Sequence, residues 1–186
     1  EARAPCLLVT RETIQYNPEG EAWVDVRAFG RLTDEGEVDE DGSQPLEEAI
    51  ALYRGPFLEG FSMDDSPAFE EWTLVIREQL QREVLESFRR LSEYHEAHRE
   101  YERACEVGWR WVKLAPWQEQ AHQALMRLLA LNGQRGAALA QYEACRRALA
   151  QELGVEPGPE TVALYARIRD GDPLDGRAPR RELVAH

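Results

Sequence analysis

The spacing of apolar residues predicts a chain that is helical over most of its length. Between Pro67 and Ala97 they recur every three or four positions, which indicates one long amphipathic helix. Its apolar face contains Phe69, Trp72, Ile76, Leu80, Val84, Phe88 and Leu91. Four shorter helices are predicted beyond it, each ended by a glycine or a proline, over 100–114, 117–131, 134–153 and 159–170.

The N-terminal part of the chain follows two other patterns. Two short β-prone runs, Cys6–Thr10 and Thr13–Tyr16, flank the polar pair Arg11-Glu12, a spacing that is typical of a tight hairpin. A hairpin alone is marginally stable, so it is expected to lean on another element. A short helix is then predicted with Asp25 as its N-cap and, on its apolar face, Val26, Phe29 and Leu32.

An acidic stretch separates this short helix from the next one. Eight acidic residues and no basic residue lie between Arg31 and Arg54, so repulsion predicts an open, mobile loop over 33–48. From Pro45 a helix is predicted that ends at Gly55-Pro56 and buries Leu46, Ala49, Ile50 and Tyr53. The apolar connector that follows is expected to pack into the core through Phe57, Leu58 and Phe61.

The chain resembles itself after a shift of 34 residues. Leu91 then falls on Leu125, and Ala104 falls on Ala138. This is the period of tetratricopeptide repeats, in which each repeat is a pair of antiparallel helices. A non-repetitive bundle remains the alternative, and both architectures predict the same core: Phe88, Leu91, Ala104, Trp111, Leu125, Leu128, Leu129, Ala138, Tyr142 and Leu149.

Composition narrows the function classes. The 186 residues carry a formal net charge of -13, which disfavours direct contact with DNA or with anionic membranes. Apolar runs are too short to span a bilayer, and the N-terminus does not resemble a signal peptide, so a cytoplasmic protein is expected. The start on Glu1 suggests a fragment of a longer protein. The three cysteines (Cys6, Cys105 and Cys145) are expected to be buried and reduced.

No motif of known catalytic chemistry occurs in the sequence. The best candidate for a metal site is His95-Glu96-Ala97-His98, which is one residue shorter than the spacing of zinc proteases. In the 34-residue register, His95 is expected to pack between helices and His98 to lie in a turn. The tryptophans Trp109, Trp111 and Trp117 are expected to belong to the core. The sequence therefore predicts a protein that is not an enzyme and has no cofactor.

Three segments together resemble the bacterial transcriptional activation domain. They are LYRGPFLEGF (52–61), the long helix with FEEW and IREQL (69–80), and ALAQYEACRRALAQELGVEPGPETVALYARI (138–168). The most specific parts are LYRGPFL and ELGVEPGPET, where a helix end is followed by defined Gly/Pro punctuation. The resemblance covers about residues 22–170. It is a resemblance to the antibiotic-regulatory-protein class of bacterial transcription activators.

This resemblance implies an all-α fold, a tetratricopeptide-like array of antiparallel helix pairs with a small N-terminal β-hairpin remnant. Residues 1–21 would be the hairpin that ends a preceding winged-helix domain, 22–170 the activation domain, and 171–186 a linker or disordered tail. DNA would be contacted only by a winged helix outside this chain. The implied role is protein contact within a transcriptional regulator: dimerisation, contact with the transcription machinery, or interdomain signalling.

A partner-binding face follows from the repeat register. In tetratricopeptide arrays the first helix of each pair lines the concave face, which suits extended partners. With repeats that start at Leu85 and Glu119, this face would contain Glu86, Arg89, Glu93, Gln120, Gln123 and Arg127. Two alternatives remain: a tetratricopeptide-like scaffold in a non-transcriptional assembly, and a metal-dependent enzyme that uses His95 and His98.

Overall fold

The computed structural model describes residues 6–17, 22–34, 43–63 and 65–174. These ranges contain one hairpin followed by seven helices. The elements are β1 (Leu7–Val9), β2 (Ile14–Tyr16), α1 (Asp25–Asp34), α2 (Ser43–Leu52), α3 (Pro67–Ala97), α4 (Tyr101–Leu114), α5 (Glu119–Leu131), α6 (Arg135–Glu152) and α7 (Pro159–Asp170).

From α1 onward, each helix packs against the next one along the chain. In addition, α3 contacts α5, and α5 contacts α7. Alternate helices therefore form one layer (α3, α5 and α7), while α4 and α6 lie behind it. This arrangement is the stacking of antiparallel helix pairs in a tetratricopeptide-like array, and it confirms the predicted fold class.

Backbone hydrogen bonds confirm the 34-residue period. The amide of Glu100 donates to the carbonyl of His95 over 2.9 Å, and that of Gln134 donates to the carbonyl of Leu129 over 2.8 Å. Each bond is the six-to-one bond that closes a helix C-terminus before the next helix begins. The α3–α4 and α5–α6 turns are therefore closed by the same hydrogen bond at positions 34 residues apart.

The core forms two clusters that meet at α4 and α5. One lies among α1, α2, α3 and α4 and includes Ala121 of α5, and the other lies among α4, α5, α6 and α7. Nine of the ten predicted core residues are buried. Tyr142 is half-buried instead, and its ring stacks on Tyr165 at a centroid distance of 4.2 Å. Burial of a large aliphatic side chain stabilises the fold by about 1.5–3 kcal/mol, so these clusters hold the array together.

Several predicted core aromatics and aliphatics are exposed. Trp109 and Trp117 are 49% and 39% exposed, while Trp111 is buried as predicted. Trp109 lies two residues, or about 200°, from Trp111 on the helix, so both cannot face the core. In the connector, Phe57 packs against the core, but Leu58 and Phe61 are exposed. Packing one face of the connector on α3 leaves its other face in solvent.

The hairpin has the predicted turn and pairs Leu7 with Tyr16 and Val9 with Ile14. Its apolar side chains are largely exposed. Contact with the helices includes Arg27 of α1, whose guanidinium lies 4.8 Å from the centroid of the Tyr16 ring. Of the cysteines, Cys105 and Cys145 are buried as predicted, but Cys6 is exposed because it lies at the open end of the hairpin.

Helix ends differ from the predictions by one or two residues. Asp25 is the first residue of α1 rather than its N-cap, and α2 begins at Ser43 rather than at Pro45. The predicted loop over 33–48 therefore overlaps both helices at its ends, and residues 35–42 lie outside the described residues. Ser66 precedes Pro67 as predicted, but its side chain makes no capping hydrogen bond. The predicted tail lies outside the described residues from 175 onward, and the domain boundaries stay a prediction.

Among the helices that the structure describes, none combines the length and the apolar character that a membrane span requires.

Candidate protein-interaction site

A groove of about 410 Å³ lies on the layer formed by α3, α5 and α7. We call it the α3–α5 groove, because these two helices supply most of its lining and α4 and α7 supply the remainder. Its lining residues are Arg89, Ser92, Glu93, Glu96, Trp111, Gln120, Gln123, Ala124, Arg127, Leu128 and Leu164.

The groove brings together five of the six residues that the sequence predicted for partner binding. Arg89 and Glu93 come from α3, while Gln120, Gln123 and Arg127 come from α5. The sixth, Glu86, lies one turn before Arg89 and is hydrogen-bonded to it. The register therefore assigned these residues to one surface correctly, and their role in partner binding stays a prediction.

Arg89 is held by carboxylates on both sides. Its Nη1 donates to Glu93 over 2.6 and 2.7 Å, and its Nε donates to Glu86 over 2.8 Å. These hydrogen bonds lower the pKa of Glu86 and raise that of Arg89 above its ordinary value. Because all three side chains are about half exposed, the cluster contributes more to the charge pattern of the rim than to stability.

Arg127 connects three parts of the groove. Its Nε and Nη2 donate to Oε1 of Glu96 over 2.8 and 2.7 Å, which ties α5 to α3. Its Nη1 donates to the carbonyl of Leu174 over 3.0 Å, four residues beyond the end of α7. A single guanidinium therefore joins both long sides of the groove to the segment that leaves α7.

The floor of the groove is apolar apart from one hydroxyl. Trp111 of α4 is 3% exposed, and its indole Nε1 donates to Gln118 over 2.9 Å. Ser92 is also 3% exposed, and within the described residues its Oγ has no hydrogen-bond partner. Buried hydroxyls without a partner are uncommon in folded proteins, so the Ser92 hydroxyl is an unusual polar group on this otherwise apolar floor.

Helix α7 is held in place by charged side chains at both ends. Near its N-terminus, Glu119 of α5 accepts a hydrogen bond from the amide of Gly158 over 2.9 Å and another from the hydroxyl of Thr161. At its C-terminus, Arg135 of α6 donates to the carbonyl of Ile168 over 2.9 Å. An acid at the N-terminus and a base at the C-terminus suit the helix dipole. This clamp places Leu164 at the groove.

Six residues of this surface were not predicted from the sequence: Ser92 and Glu96 of α3, Ala124 and Leu128 of α5, Trp111 of α4 and Leu164 of α7. Ser92 and Glu96 share the face of α3 with Arg89 and Glu93, so extending the helical spacing by one turn would have found them. Trp111 and Leu164 come from α4 and α7, outside the first-helix rule. Their contribution depends on how close the helices pack, and no local pattern encodes that distance.

The two histidines of the metal hypothesis have separate partners. His95 is buried as predicted, its Nδ1 lies 2.7 Å from Glu100, and its Nε2 lies 3.8 Å from Glu47. His98 is exposed in the turn, and its Nδ1 lies 2.8 Å from the carbonyl of Tyr94. Hydrogen bonding to His95 lowers the pKa of Glu100. Within the described ranges, no cluster of three or more His, Cys, Asp or Glu side chains is arranged to hold a metal ion.

Stacked antiparallel helix pairs with an open groove define a helical-repeat protein. The sequence profile of the bacterial transcriptional activator domain matches residues 24–169. The chain therefore belongs to this family, a domain of transcriptional regulators. The family membership agrees with the resemblance of the LYRGPFL and ELGVEPGPET segments.

The named relatives are regulatory proteins. Regulatory protein AfsR of Streptomyces griseus is 42% identical over an alignment of 69 residues that covers 34% of this chain and 7% of AfsR. Transcriptional regulatory protein MoaR1 of Mycobacterium tuberculosis is 38% identical over an alignment of 74 residues that covers 38% of this chain and 24% of MoaR1. The chain thus spans only a small part of the length of these relatives.

A solved structure has a similar fold. Mycobacterium tuberculosis EmbR, in complex with a low-affinity phosphopeptide, matches with a TM-score of 0.60 at 22% identity. The match covers 91% of this chain and 45% of the EmbR chain. At this identity the likeness concerns the fold alone.

Proposed function

We propose that this chain is a protein-contact module of a bacterial transcriptional regulator and that it acts through the α3–α5 groove. The contact residues are Glu86, Arg89, Glu93, Gln120, Gln123 and Arg127. One observation carries the proposal: five of these side chains, from two helices distant in sequence, line one groove in a domain of transcriptional regulators. Contact with protein, rather than catalysis, is its mechanism.

The acidic charge of the chain supports a role in protein contact rather than in DNA binding. A net charge of -13 opposes contact with phosphates, so DNA is bound by a winged-helix domain outside this chain. Residues 1–21 are the hairpin that ends that domain, whose DNA-contacting part lies outside this chain, residues 22–170 form the contact module, and residues 171–186 form a linker or tail. The groove then serves self-association, contact with the transcription machinery, or signalling between flanking domains.

Charge reversal in the groove tests the proposal. Arg89→Glu and Arg127→Glu are introduced into the full regulator, and transcription from its target promoter is measured with a reporter. We expect a loss of about tenfold or more, because unpaired like charges at an interface cost several kcal/mol. Lys113→Glu, at an exposed position on α4 away from the groove, is the matched control and is expected to leave transcription unchanged.

A compensated variant separates binding from folding. Glu96→Arg combined with Arg127→Glu keeps the cross-helix ion pair but inverts its direction. We expect normal thermal stability together with reduced transcription. If both reversals leave every partner interaction and the reporter unchanged, the groove is not the contact surface.

The flanking coding sequence tests the transcriptional context. A winged-helix domain encoded directly before this segment would support the proposal over the non-transcriptional scaffold, which family membership already disfavours.

A further inference from the structure

The groove contains a buried hydrogen-bonding group that its own fold leaves unused. In the part of the chain that the structure describes, two buried hydroxyls have no partner, Thr73 Oγ1 and Ser92 Oγ. Only Ser92 is among the lining residues of the α3–α5 groove. A buried hydroxyl without a partner carries a desolvation cost, and a ligand in the groove would remove that cost by hydrogen bonding to Ser92.

The charges of the groove select against an acidic ligand. Arg89 is bonded to Glu86 and Glu93, and Arg127 is bonded to Glu96. Three carboxylates therefore face two guanidinium groups, and both guanidinium groups already have carboxylate partners. A carboxylate or phosphate on the ligand would have to displace one of these glutamates, whereas a neutral or basic ligand would leave all the ion pairs intact.

The lining also indicates the size and polarity of the ligand. Ala124, Leu128, Leu164 and Trp111 supply the apolar part of the lining, and the groove volume of about 410 Å³ is that of a small ligand site. Gln120 is exposed at the rim, where its amide is accessible to a peptide backbone. Helices α3 and α5 form the two long sides of the groove.

We propose that the α3–α5 groove binds an extended peptide segment of neutral or positive charge. A small apolar side chain lies on the floor beside Ala124, and a backbone amide of the peptide hydrogen-bonds to Ser92 Oγ after a rotation about χ1 turns that hydroxyl towards the groove. This inference rests on the proposed function, because it names the chemistry of the partner for the same groove.

A random peptide library provides the probe. Phage-displayed decapeptides are selected on the full chain, and the recovered sequences are made as N-acetylated, C-amidated peptides for fluorescence anisotropy. We expect recovered peptides with zero or positive net charge and an apolar centre. Ala124→Trp fills the floor and is expected to abolish binding, with circular dichroism as the check on folding.

Ser92→Ala distinguishes a ligand contact from a structural role. Removal of an unpartnered buried hydroxyl is expected to raise the Tm of the free chain by about 2–4 °C. The same variant is expected to bind the peptide about tenfold more weakly, through loss of one hydrogen bond. Thr73→Val is the matched control: it removes the other unpartnered hydroxyl and is expected to leave peptide affinity unchanged.

Three results would overturn the inference: recovery of no binders, recovery of net-acidic binders, or equal affinity for wild type and Ser92→Ala. The reporter assay remains independent of these results. Peptide binding with unaltered transcription in the charge-reversal variants would reject the proposed function alone. Altered transcription without binding of neutral or basic peptides would reject this inference alone.

Discussion

Arg99 and Gly133 hold the same left-handed backbone conformation at equivalent positions 34 residues apart. Their φ angles are 60° and 75°. Each amide donates to the carbonyl three residues earlier, Arg99 to Glu96 over 3.0 Å and Gly133 to Ala130 over 3.1 Å. One turn therefore uses glycine, which adopts this conformation readily, and its copy uses arginine, which does so at a cost.

Arg99→Gly is expected to stabilise the fold. Relief of the left-handed strain should raise the free energy of unfolding by about 1 kcal/mol. The reciprocal change, Gly133→Ala, should lower it by a similar amount. Urea denaturation followed by circular dichroism measures both, and a lower unfolding midpoint for Arg99→Gly would contradict the prediction.

A second prediction concerns the close approach of α4 and α5. A Cβ atom on Gly108 would lie 3.1 Å from Cδ1 of Leu125 and 3.6 Å from its Cα. Gly108→Val is therefore expected to force the helices apart and to destabilise the chain by about 1–3 kcal/mol. Gly136 on α6 has no atom within 4 Å of such a Cβ, so Gly136→Ala is the control and should be neutral or stabilising by up to about 1 kcal/mol. Equal effects of the two changes would show that the contact is not tight.

The third prediction concerns pH and the buried His122. Gln141 lies 2.7 Å from its Nδ1, and the carbonyl of Pro116 lies 2.9 Å from its Nε2. Since a carbonyl only accepts, Nε2 carries the proton and Nδ1 accepts from the Gln141 amide. Burial lowers the pKa of His122, although the Pro116 hydrogen bond and Glu119 oppose this. The folded state therefore holds His122 neutral.

Stability is consequently expected to fall on acidification. Below the ordinary histidine pKa of about 6.5, the unfolded state binds a proton that the folded state does not. The contribution of neutral His122 to the free energy of unfolding is fully present above that pH. Below it, this contribution declines by at most about 1.4 kcal/mol per pH unit. His122→Phe, which copies Phe88 one repeat earlier, should be less stable but should show a flatter profile from pH 7.5 to 5.5. If the stability of the wild type and that of His122→Phe change equally with pH, His122 is not the group responsible.

The fourth prediction concerns the clamp on α7. Glu119→Ala removes the acceptor for Gly158 and Thr161, and Arg135→Ala removes the donor to the C-terminal carbonyls. Hydrogen bonds to charged groups contribute about 1.5–3 kcal/mol. Hydrogen exchange should therefore accelerate in α7 before it does so in α4. Arg146→Ala, which removes only an exposed pair with Glu143, is the control and should change exchange little.

The fifth prediction compares the two ion-pair systems of the groove. The Arg127–Glu96 pair is less exposed than the Arg89 cluster and joins two helices. A double-mutant cycle with Glu96→Gln and Arg127→Met is expected to give a larger coupling energy than one with Glu93→Gln and Arg89→Met. Exposed pairs on one helix contribute about 0.3–0.5 kcal/mol. A coupling energy of that size for Arg127–Glu96 would mean that the pair does not hold α3 to α5.

The sequence by itself determined the helices, their pairing and the side of the array on which the groove lies. Helical spacing from Phe69 to Leu91 and the 34-residue period both depend on local geometry, which repeats along the chain and can be read from residue identities. The same rule assigned Arg89 and Arg127 to one surface. The prediction that Trp109 and Leu58 are buried was wrong, because the apolar character of a side chain does not show whether neighbouring elements cover it.

Only the tertiary structure decided how that surface is constituted. The partners of Arg127 are Glu96 and Leu174, 31 and 47 residues away. Whether Ser92 is buried without a partner depends on what the other helices place above it. Such facts follow from distances between elements that are remote along the chain. These distances are set by how closely the helices approach one another, as α4 and α5 do where Gly108 meets Leu125, rather than by any local pattern.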